Sequence, residues 1–392
     1  MCSKINIMKP FDGHFTSKLP SAKTSVFAVM SKLANDNNAV NLSQGFPDFP
    51  IDQELIRRVN YYMVKGYNQY APMPGVSELR EAIAKMFKKN HDAEYNFESE
   101  ITITAGATQA LYTAISAFIN DGDEAIIVEP AYDSYAPAVI ANGGTVKYVS
   151  LKFPDFTLNW DEIKRNVTSR TKLIILNTPH NPTGSVLKEE DFLILERFLR
   201  GRDIMLISDE VYEHLIFDDQ THHSACRFSD LASRTMIIGS FGKTFHATGW
   251  KTGFVLAPEN ITAEFRKFHQ FIVFASNTPV QHAIADFIQN PENYKGLGKF
   301  YQSKRDYFLN AIKKSRFKAI PAKGTYFQLL DYSNISDESE YDFATRLVKE
   351  FGVAGIPLSP FYHNNKNQQQ LRFCFAKQES TLDKAAEILC RI

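Results

Sequence analysis

The sequence predicts an α/β protein in which a large domain, built on a doubly wound mixed sheet, is accompanied by a smaller α+β domain. Between about residues 100 and 260, short β-branched runs alternate with helical patterns, which is typical of a sheet covered by helices. Several runs are apolar at consecutive positions, as strands buried on both faces should be. The length of 392 residues exceeds the size at which one hydrophobic core usually keeps growing, so two domains are expected.

The elements of the large domain follow from these runs in chain order. A strand-like segment at residues 101–103 precedes a helix at 108–119, and a second helix is expected at 191–199. The remaining runs are predicted strands, at residues 124–128, 145–149, 172–176, 204–208, 236–238 and 252–256.

Beyond Pro279 the chain changes character. A long, charged helical stretch covers residues 279–314, and it is followed by a helix at 341–351, a strand at 371–375 and a final helix from Leu382. This mixture predicts a smaller α+β domain, against which the start of the chain is expected to pack. We therefore divide the chain into an N-terminal segment, a large cofactor-binding domain and a small C-terminal domain, at residues 1–45, 46–280 and 281–392.

Composition excludes several classes of protein. The 44 basic residues balance 44 acidic ones, so neither nucleic acid nor an anionic membrane is expected as a partner. Four scattered cysteines without a CxxC pair support neither a metal site nor a disulfide framework. The first residues lack the apolar region of a signal peptide, and no apolar run approaches a membrane span. We expect a cytoplasmic location.

Lys243 is the most informative residue of the chain. It follows an apolar, strand-like segment at residues 235–239, with Ser240 three positions before it and Lys251 eight positions after it. A Walker A motif would need glycine five residues before Gly242, so the spacing excludes a phosphate-binding P-loop. A lysine whose pKa is lowered by burial or by cations can form a Schiff base with an aldehyde cofactor. Taken alone, most lysines are solvated surface charges.

Further polar residues follow the predicted strands. Ligands of open α/β sheets bind outside the carboxyl ends of the strands, and Asn181, Asp209 and Lys243 all fall there. Gly106 and the residues after it open a helix, whose free N–H groups and dipole can hold an anion such as a phosphate. Thr108 could instead be an ordinary helix cap, and Asn181 could instead belong to a simple Asn-Pro turn.

Two charged residues occur in apolar surroundings. Asp209 follows four apolar residues, where a carboxylate is costly to bury unless it has a partner such as a protonated pyridine nitrogen. Arg372 lies within an apolar strand, where a guanidinium favours a bidentate carboxylate. Asp209 could instead cap a helix or form a salt bridge, and Arg372 could instead pair with an internal Asp or Glu. Tyr132 could stack on a ring, and Tyr212 could hydrogen-bond to an oxygen on it. For both tyrosines, the alternative is core packing.

Taken together, these residues resemble those of a known family along nearly the whole chain. The sequence is similar to class I, fold type I, pyridoxal-phosphate-dependent aminotransferases, and within them to the branch of methionine aminotransferase and of kynurenine aminotransferase/glutamine transaminase K. The matching runs are Asn41–Asp48, Asn68–Gly75, Thr104–Thr108, Asn177–Gly184, Ser208–Tyr212, Ser240–Thr244, Gly249–Lys251 and Leu371–Phe373.

The resemblance implies a role for each matched residue. Lys243 would hold pyridoxal 5′-phosphate as a Schiff base and later shuttle a proton, while Asp209 and Tyr212 would complete the catalytic set. Other residues would hold the cofactor or the substrate carboxylate, and Tyr70 would reach in from the second subunit of a homodimer. The implied cofactor residues are Ala107, Thr108, Tyr132, Asn181, Ser240, Lys251 and Tyr70, and the implied substrate residues are Gly45, Asn181 and Arg372.

The implied reaction is a ping-pong transfer of the α-amino group of methionine, aromatic amino acids or glutamine to a 2-oxo acid. A pocket formed by Phe27, Phe46, Phe274 and Phe361 would accept large uncharged side chains. A cysteine-S-conjugate β-lyase on the same fold is the main alternative. A cofactor-sensing transcription regulator would need a DNA-binding domain before the matched region, and a dinucleotide-dependent dehydrogenase would need a GxGxxG motif.

Overall fold

A seven-stranded mixed sheet forms the centre of the protein in the computed structural model, which describes residues 8–392. Four neighbouring pairs of strands are parallel, and the strand at 253–256 is antiparallel to both of its neighbours. The predicted doubly wound mixed sheet is confirmed. Its strands, in spatial order, are Ile101–Thr104, Gly253–Leu256, Thr235–Ser240, Met205–Asp209, Thr171–Asn177, Glu124–Glu129 and Thr145–Ser150.

The central strands are apolar at consecutive positions because both faces of the sheet are covered. On strand 171–177, Leu173 and Ile175 pack into one hydrophobic cluster, while Ile174 and Leu176 pack into another on the opposite face. Side chains alternate between the two faces of a strand, so a run without polar residues requires two apolar layers. All seven predicted strands agree with the structure to within two residues.

Helices cover the sheet and build the rest of the protein. The predicted helical stretch at 279–314 is helical over most of its length, but it is divided into three helices near Pro291 and Gly296. The ring of Pro291 cannot continue a helix. The predicted helix at 341–351 ends in a π-helical turn, Leu347–Phe351. The α-helices are Val26–Asp36, Gln53–Val64, Ser77–His91, Ala107–Phe118, Tyr135–Ala141, Trp160–Asn166, Glu189–Leu199, Ser229–Ala232, Phe241–Thr244, Glu259–Ile272, Thr278–Ile288, Glu292–Lys295, Leu297–Ala311, Glu340–Arg346 and Glu379–Leu389.

A second, three-stranded antiparallel sheet is built from the C-terminal part of the chain. Strand Gln370–Cys374 lies between Ile356–Pro357 and Phe327–Asp331. The N-terminal strand Val40–Asn41 pairs with Val353–Ala354, next to this sheet. The three-part division of the chain remains our proposal, and its boundary at residue 281 falls within helix Thr278–Ile288.

The register of the parallel strands sets the position of the site. Asn177 pairs with Asp209, and Asp209 pairs with Ile238, so these strands end at one edge of the large sheet. Loops that leave this edge carry the polar residues singled out in the sequence. Among residues 8–392, no helix combines the length and the apolar character that a bilayer crossing requires.

Candidate active site

A cavity of about 160 Å³ lies at this edge of the large sheet. Strand ends, the start of helix Ala107–Phe118 and the segment around Lys243 all contribute to its wall. The structure therefore brings together residues that are far apart in the sequence. The sequence-predicted residues that line the cavity are Ala107, Thr108, Tyr132, Asn181, Asp209, Tyr212, Ser240, Lys243 and Lys251.

Lys243 lies in a short helix directly after strand Thr235–Ser240. Its Nζ atom is 3.5 Å from the carbonyl oxygen of Gly45 and 5.9 Å from the ring centre of Tyr212. Burial, followed by the nearby charge of Arg372, lowers the pKa of Lys243 to about 8. The amine is thus close to the neutral form, which is the form that attacks a carbonyl group.

Asp209 ends the neighbouring strand and is only 4% exposed. Its Oδ2 atom accepts a hydrogen bond from the Tyr135 hydroxyl at 2.5 Å, and its Oδ1 atom accepts one from the Val211 N–H at 3.4 Å. Burial raises the pKa of Asp209 to about 6. In the described part of the chain no basic nitrogen lies within 4.0 Å of this carboxylate. A protonated pyridine nitrogen would supply the missing cation.

The start of helix Ala107–Phe118 forms a cradle for an anion. Gly106 caps this helix at φ 79° and offers no side chain to the free N–H groups. A Cβ atom at Gly106 would lie 3.4 Å from Nζ of Lys251, so a cation stands beside the helix end. Ser240 lines the same cavity. Helix N–H groups, a hydroxyl and an ammonium group are the donors that a phosphate requires.

Arg372 lies in the middle strand of the small sheet and is 1% exposed. Its guanidinium donates to Oδ1 of Asn181 at 2.8 Å and to the carbonyl of Ser43 at 3.0 Å, while its Nε has no partner. Burial lowers the pKa of Arg372 to about 10. Within residues 8–392 no carboxylate lies within 4.0 Å of it, so an internal salt bridge does not explain its burial. The free donor fits a carboxylate from outside the chain.

Asn181 is fixed by the turn that precedes it. Its backbone N–H donates to Oδ1 of Asn177 at 2.8 Å, and Nδ2 of Asn177 donates to the carbonyl of Asp209 at 2.8 Å. The side chain of Asn181 is 7% exposed and accepts from Arg372. The turn thus connects the predicted carboxylate site to the strand that carries Asp209.

Aromatic side chains surround these polar groups. The Tyr132 hydroxyl lies 3.5 Å from that of Thr108, and Tyr212 is 3% exposed. Phe27 packs edge-on against Phe361, with ring centres 5.7 Å apart. The Arg372 guanidinium lies 5.0 Å from the ring centre of Phe27. An apolar surface therefore adjoins the free guanidinium donor.

Some residues named from the sequence lie elsewhere. Tyr70 is 84% exposed and does not line the cavity of its own chain. Phe274, expected in the aromatic pocket, packs against Tyr70 instead, at 5.7 Å between ring centres. Phe46 is 45% exposed and lies beneath the ammonium group of Lys377.

Sequence reasoning also missed residues of the site. Tyr135 lines the cavity, and the Tyr326 hydroxyl donates to the Gly45 carbonyl at 2.7 Å. Asn177, which positions Asn181, lines the cavity as well. Asn177 occurs in a run that the sequence had already marked, yet spacing alone did not show that its side chain faces inwards.

The chain matches the family model of class I and II aminotransferases over residues 37–389. It is 48% identical to methionine aminotransferase of Escherichia coli K12, over 95% of this chain and 97% of that protein. It is 33% identical to human kynurenine–oxoglutarate transaminase 1, over 91% of this chain and 93% of that protein.

Solved structures show the same similarity in three dimensions. A crystal structure from Escherichia coli, described as having a methionine aminotransferase function, matches with a TM-score of 0.95 at 47% identity, covering 97% of this chain and 100% of that one. N-succinyldiaminopimelate aminotransferase from Mycobacterium tuberculosis matches with a TM-score of 0.92 at 34% identity, covering 96% and 100%.

Proposed function

This chain belongs to the class I and II aminotransferases, and from that membership we propose that it transfers the α-amino group of methionine, aromatic amino acids or glutamine to a 2-oxo acid. Its fold is fold type I, and its cofactor is pyridoxal 5′-phosphate, as in the family. The observation that carries the proposal is that Lys243, an amine with a lowered pKa, and Asp209, a carboxylate without a cation, line one cavity. Asn181, on the same cavity wall, accepts a hydrogen bond from Arg372, whose Nε is free.

Different cavity residues would contact different parts of the cofactor. Asp209 would hold the pyridine nitrogen, and Tyr132 would pack on the ring. Tyr212 and Asn181 would donate to the ring oxygen. The phosphate would lie against Ala107, Thr108, Ser240 and Lys251. When bound, pyridoxal phosphate supplies an electron sink that stabilises a negative charge at the substrate Cα.

Lys243 would move the proton on which the reaction depends. Its free amine would take the proton from the substrate Cα and later return it, as the base and the acid of the reaction. The carbonyl of Gly45, 3.5 Å from Nζ, can accept a hydrogen bond from this amine. Proton transfer by a positioned base is typically worth about 10²–10⁴ in rate.

Arg372 would bind the α-carboxylate of the substrate and thereby direct Cα toward Lys243. Its position on Asn181 and Ser43 leaves Nε for the incoming oxygen. Phe27 and Phe361 beside the guanidinium support a large, uncharged substrate side chain. Apolar pockets discriminate single methylene groups by only about 10–200-fold, so several amino acids should be accepted. The relatives give no support to β-elimination as the main reaction.

Tyr70 would complete the site of a second copy of the chain. Its side chain is 84% exposed and lies beside Phe274. Phe271, in the last turn of the helix just before Phe274, is 86% exposed. Exposed aromatic residues of this kind support an interface. We therefore propose a homodimer with a site at each end of the interface, located in the cytoplasm.

Absorption spectroscopy of the purified protein tests this function. The visible band of the lysine-bound cofactor should disappear when L-methionine is added without an oxo acid, and return when a 2-oxo acid follows. The Lys243→Ala variant should bind the cofactor without covalent attachment and show neither change, while Lys349→Ala, on the surface, should behave as the wild type. A band that persists with all three proposed donor classes would contradict the proposal. Pyruvate, ammonia and a thiol released from a cysteine S-conjugate without an acceptor, together with such a persistent band, would show the β-lyase instead.

A further inference from the structure

Tyr135 is a buried tyrosine whose hydroxyl faces the site. It is 3% exposed, begins the helix Tyr135–Ala141 and lines the same cavity as Asp209. Its hydroxyl donates to Oδ2 of Asp209 at 2.5 Å. This distance lies in the range of charge-assisted O–H···O⁻ hydrogen bonds. The geometry is that of a donor held against an ionised carboxylate.

Asp209 depends on this donor because it has few others. Within the described residues, the only other hydrogen bond to its carboxylate comes from the Val211 N–H, at the long distance of 3.4 Å. A buried carboxylate without a cation tends to take up a proton, since burial disfavours the charged form. A protonated Asp209 could no longer form an ion pair with the protonated ring nitrogen.

The groups around Asp209 shift its pKa in opposite directions. Burial raises the pKa of Asp209, and the hydrogen bond from Tyr135 is the strongest of the influences that lower it. Lys243 lowers this pKa further, whereas Glu210 raises it. Tyr132 and Tyr212, which also lie near Asp209, have raised pKa values and remain neutral.

We propose that Tyr135 is a positioning residue, which keeps the carboxylate of Asp209 ionised and oriented toward the ring nitrogen of the cofactor. The proposal rests on the function proposed above for Asp209. By occupying Oδ2, the Tyr135 hydroxyl leaves Oδ1, with its single long contact, for the nitrogen. Tyr135 takes no part in the proton transfer itself and acts through Asp209.

A double-mutant cycle on cofactor affinity tests the proposal. The dissociation constant of pyridoxal 5′-phosphate is measured by absorbance titration of the wild type, Tyr135→Phe, Asp209→Asn and the double variant. Tyr135→Phe should weaken binding about tenfold when Asp209 is present, as expected for one hydrogen bond to a charged group. In the Asp209→Asn background, where a neutral amide replaces the carboxylate, the same substitution should weaken binding less than about twofold. Equal losses in both backgrounds would overturn the proposal and show a purely structural role.

The pH dependence provides a second readout. Losing the donor should raise the pKa of Asp209 and move the acid limb of the kcat/KM profile upward by about one pH unit. Tyr332→Phe is the matched control, because Tyr332 is equally buried but donates to the backbone carbonyl of Glu338, at 2.8 Å. An unmoved acid limb in Tyr135→Phe would contradict the proposal.

If the Tyr135→Phe variant binds too little cofactor for kinetics, unfolding of the cofactor-free protein tests the same proposal. Because ionised Asp209 loses its donor, the stability difference between wild type and Tyr135→Phe should grow as pH rises from about 5 to 8. A difference that does not change with pH would overturn the proposal. If the proposed function of Asp209 itself is wrong, Asp209→Asn alone should leave cofactor affinity unchanged. This result distinguishes that failure from failure of the proposal for Tyr135.

Discussion

Arg372 donates a 2.8 Å hydrogen bond to Asn181, although 191 residues separate them in the sequence. Arg372 belongs to the small sheet, and Asn181 belongs to a turn at the edge of the large sheet. The bond therefore joins the two sheets at the point where an amino acid would bind. It fixes one side of the guanidinium and leaves Nε free.

Arg372→Lys should weaken amino-acid binding while leaving cofactor binding intact. Lysine keeps the charge but loses the planar pair of donors, at a cost of about 1.5–3 kcal/mol, so KM for the amino donor should rise about 10–100-fold. Steady-state kinetics and the cofactor spectrum measure both effects. Arg346→Lys, in a surface pair with Glu338, is the control and should leave KM unchanged. An unchanged KM in Arg372→Lys would place the carboxylate site elsewhere.

The polar residues at strand ends could be predicted from the sequence because an apolar run followed by Asp209 or Lys243 marks both the strand and its end. Their convergence follows from parallel pairing at one sheet edge. The contact of Tyr135 with Asp209 could not be predicted in this way. Tyr132 and Tyr135 lie in one short run, and which of them reaches the carboxylate depends on helix Tyr135–Ala141 beginning where it does.

Contacts between parts of the chain that are distant in sequence could not be predicted either. Tyr326 and Gly45 are hydrogen-bonded across 281 residues, and no local pattern encodes that pairing. The breaks in the helical stretch at residues 279–314 have a local cause, since the ring of Pro291 interrupts a sequence with helical periodicity. Tertiary packing thus determined the details that the periodicity left open.

Lys243→Met should stabilise the cofactor-free protein in a pH-dependent manner. The pKa of Lys243 falls from 10.5 to about 8 on folding, so the unfolded chain holds more protons between these values and the free energy of unfolding rises with pH there. Below about pH 8 the full cost of burying the ammonium is present. The substitution should therefore gain roughly 1–3 kcal/mol at pH 7 and less at pH 9.5.

Urea denaturation at pH 7, 8.5 and 9.5 measures this difference. Lys349→Met, at an exposed position, is the control and should show no such trend. Burial is the main cause of the lowered Lys243 pKa, and the neighbouring Arg372, Lys251 and Asp209 stay in place in the variant. A gain that is constant across pH would indicate a packing effect and contradict the titration of Lys243.

Gly253→Ala should impair both folding and cofactor binding. An added Cβ would lie 2.7 Å from the Gly239 carbonyl and 3.0 Å from the Ala107 backbone nitrogen, and neither backbone atom can move freely. Overpacking of this kind typically costs about 1–3 kcal/mol, and it would displace the helix start that we propose to hold the phosphate. Thermal unfolding and titration with pyridoxal phosphate measure the two effects. Gly296→Ala, which meets no atom within 4 Å, should change neither.

Mixed dimers should reveal whether Tyr70 serves the site of the other subunit. Tyr70→Ala and Lys243→Ala should each be strongly impaired as homodimers. In a mixed dimer, one of the two sites has Lys243 from one chain and Tyr70 from its partner, so random pairing should restore about one quarter of the wild-type activity. Co-expression of the two variants with different affinity tags allows the mixed dimers to be isolated. Tyr70 is exposed and lies outside the cavity of its own chain. If Tyr70 nevertheless acted on the site of its own subunit, the mixture would show no restored activity. Activity that stays at the level of the separate variants would contradict a site shared between subunits, even if the protein is dimeric by light scattering.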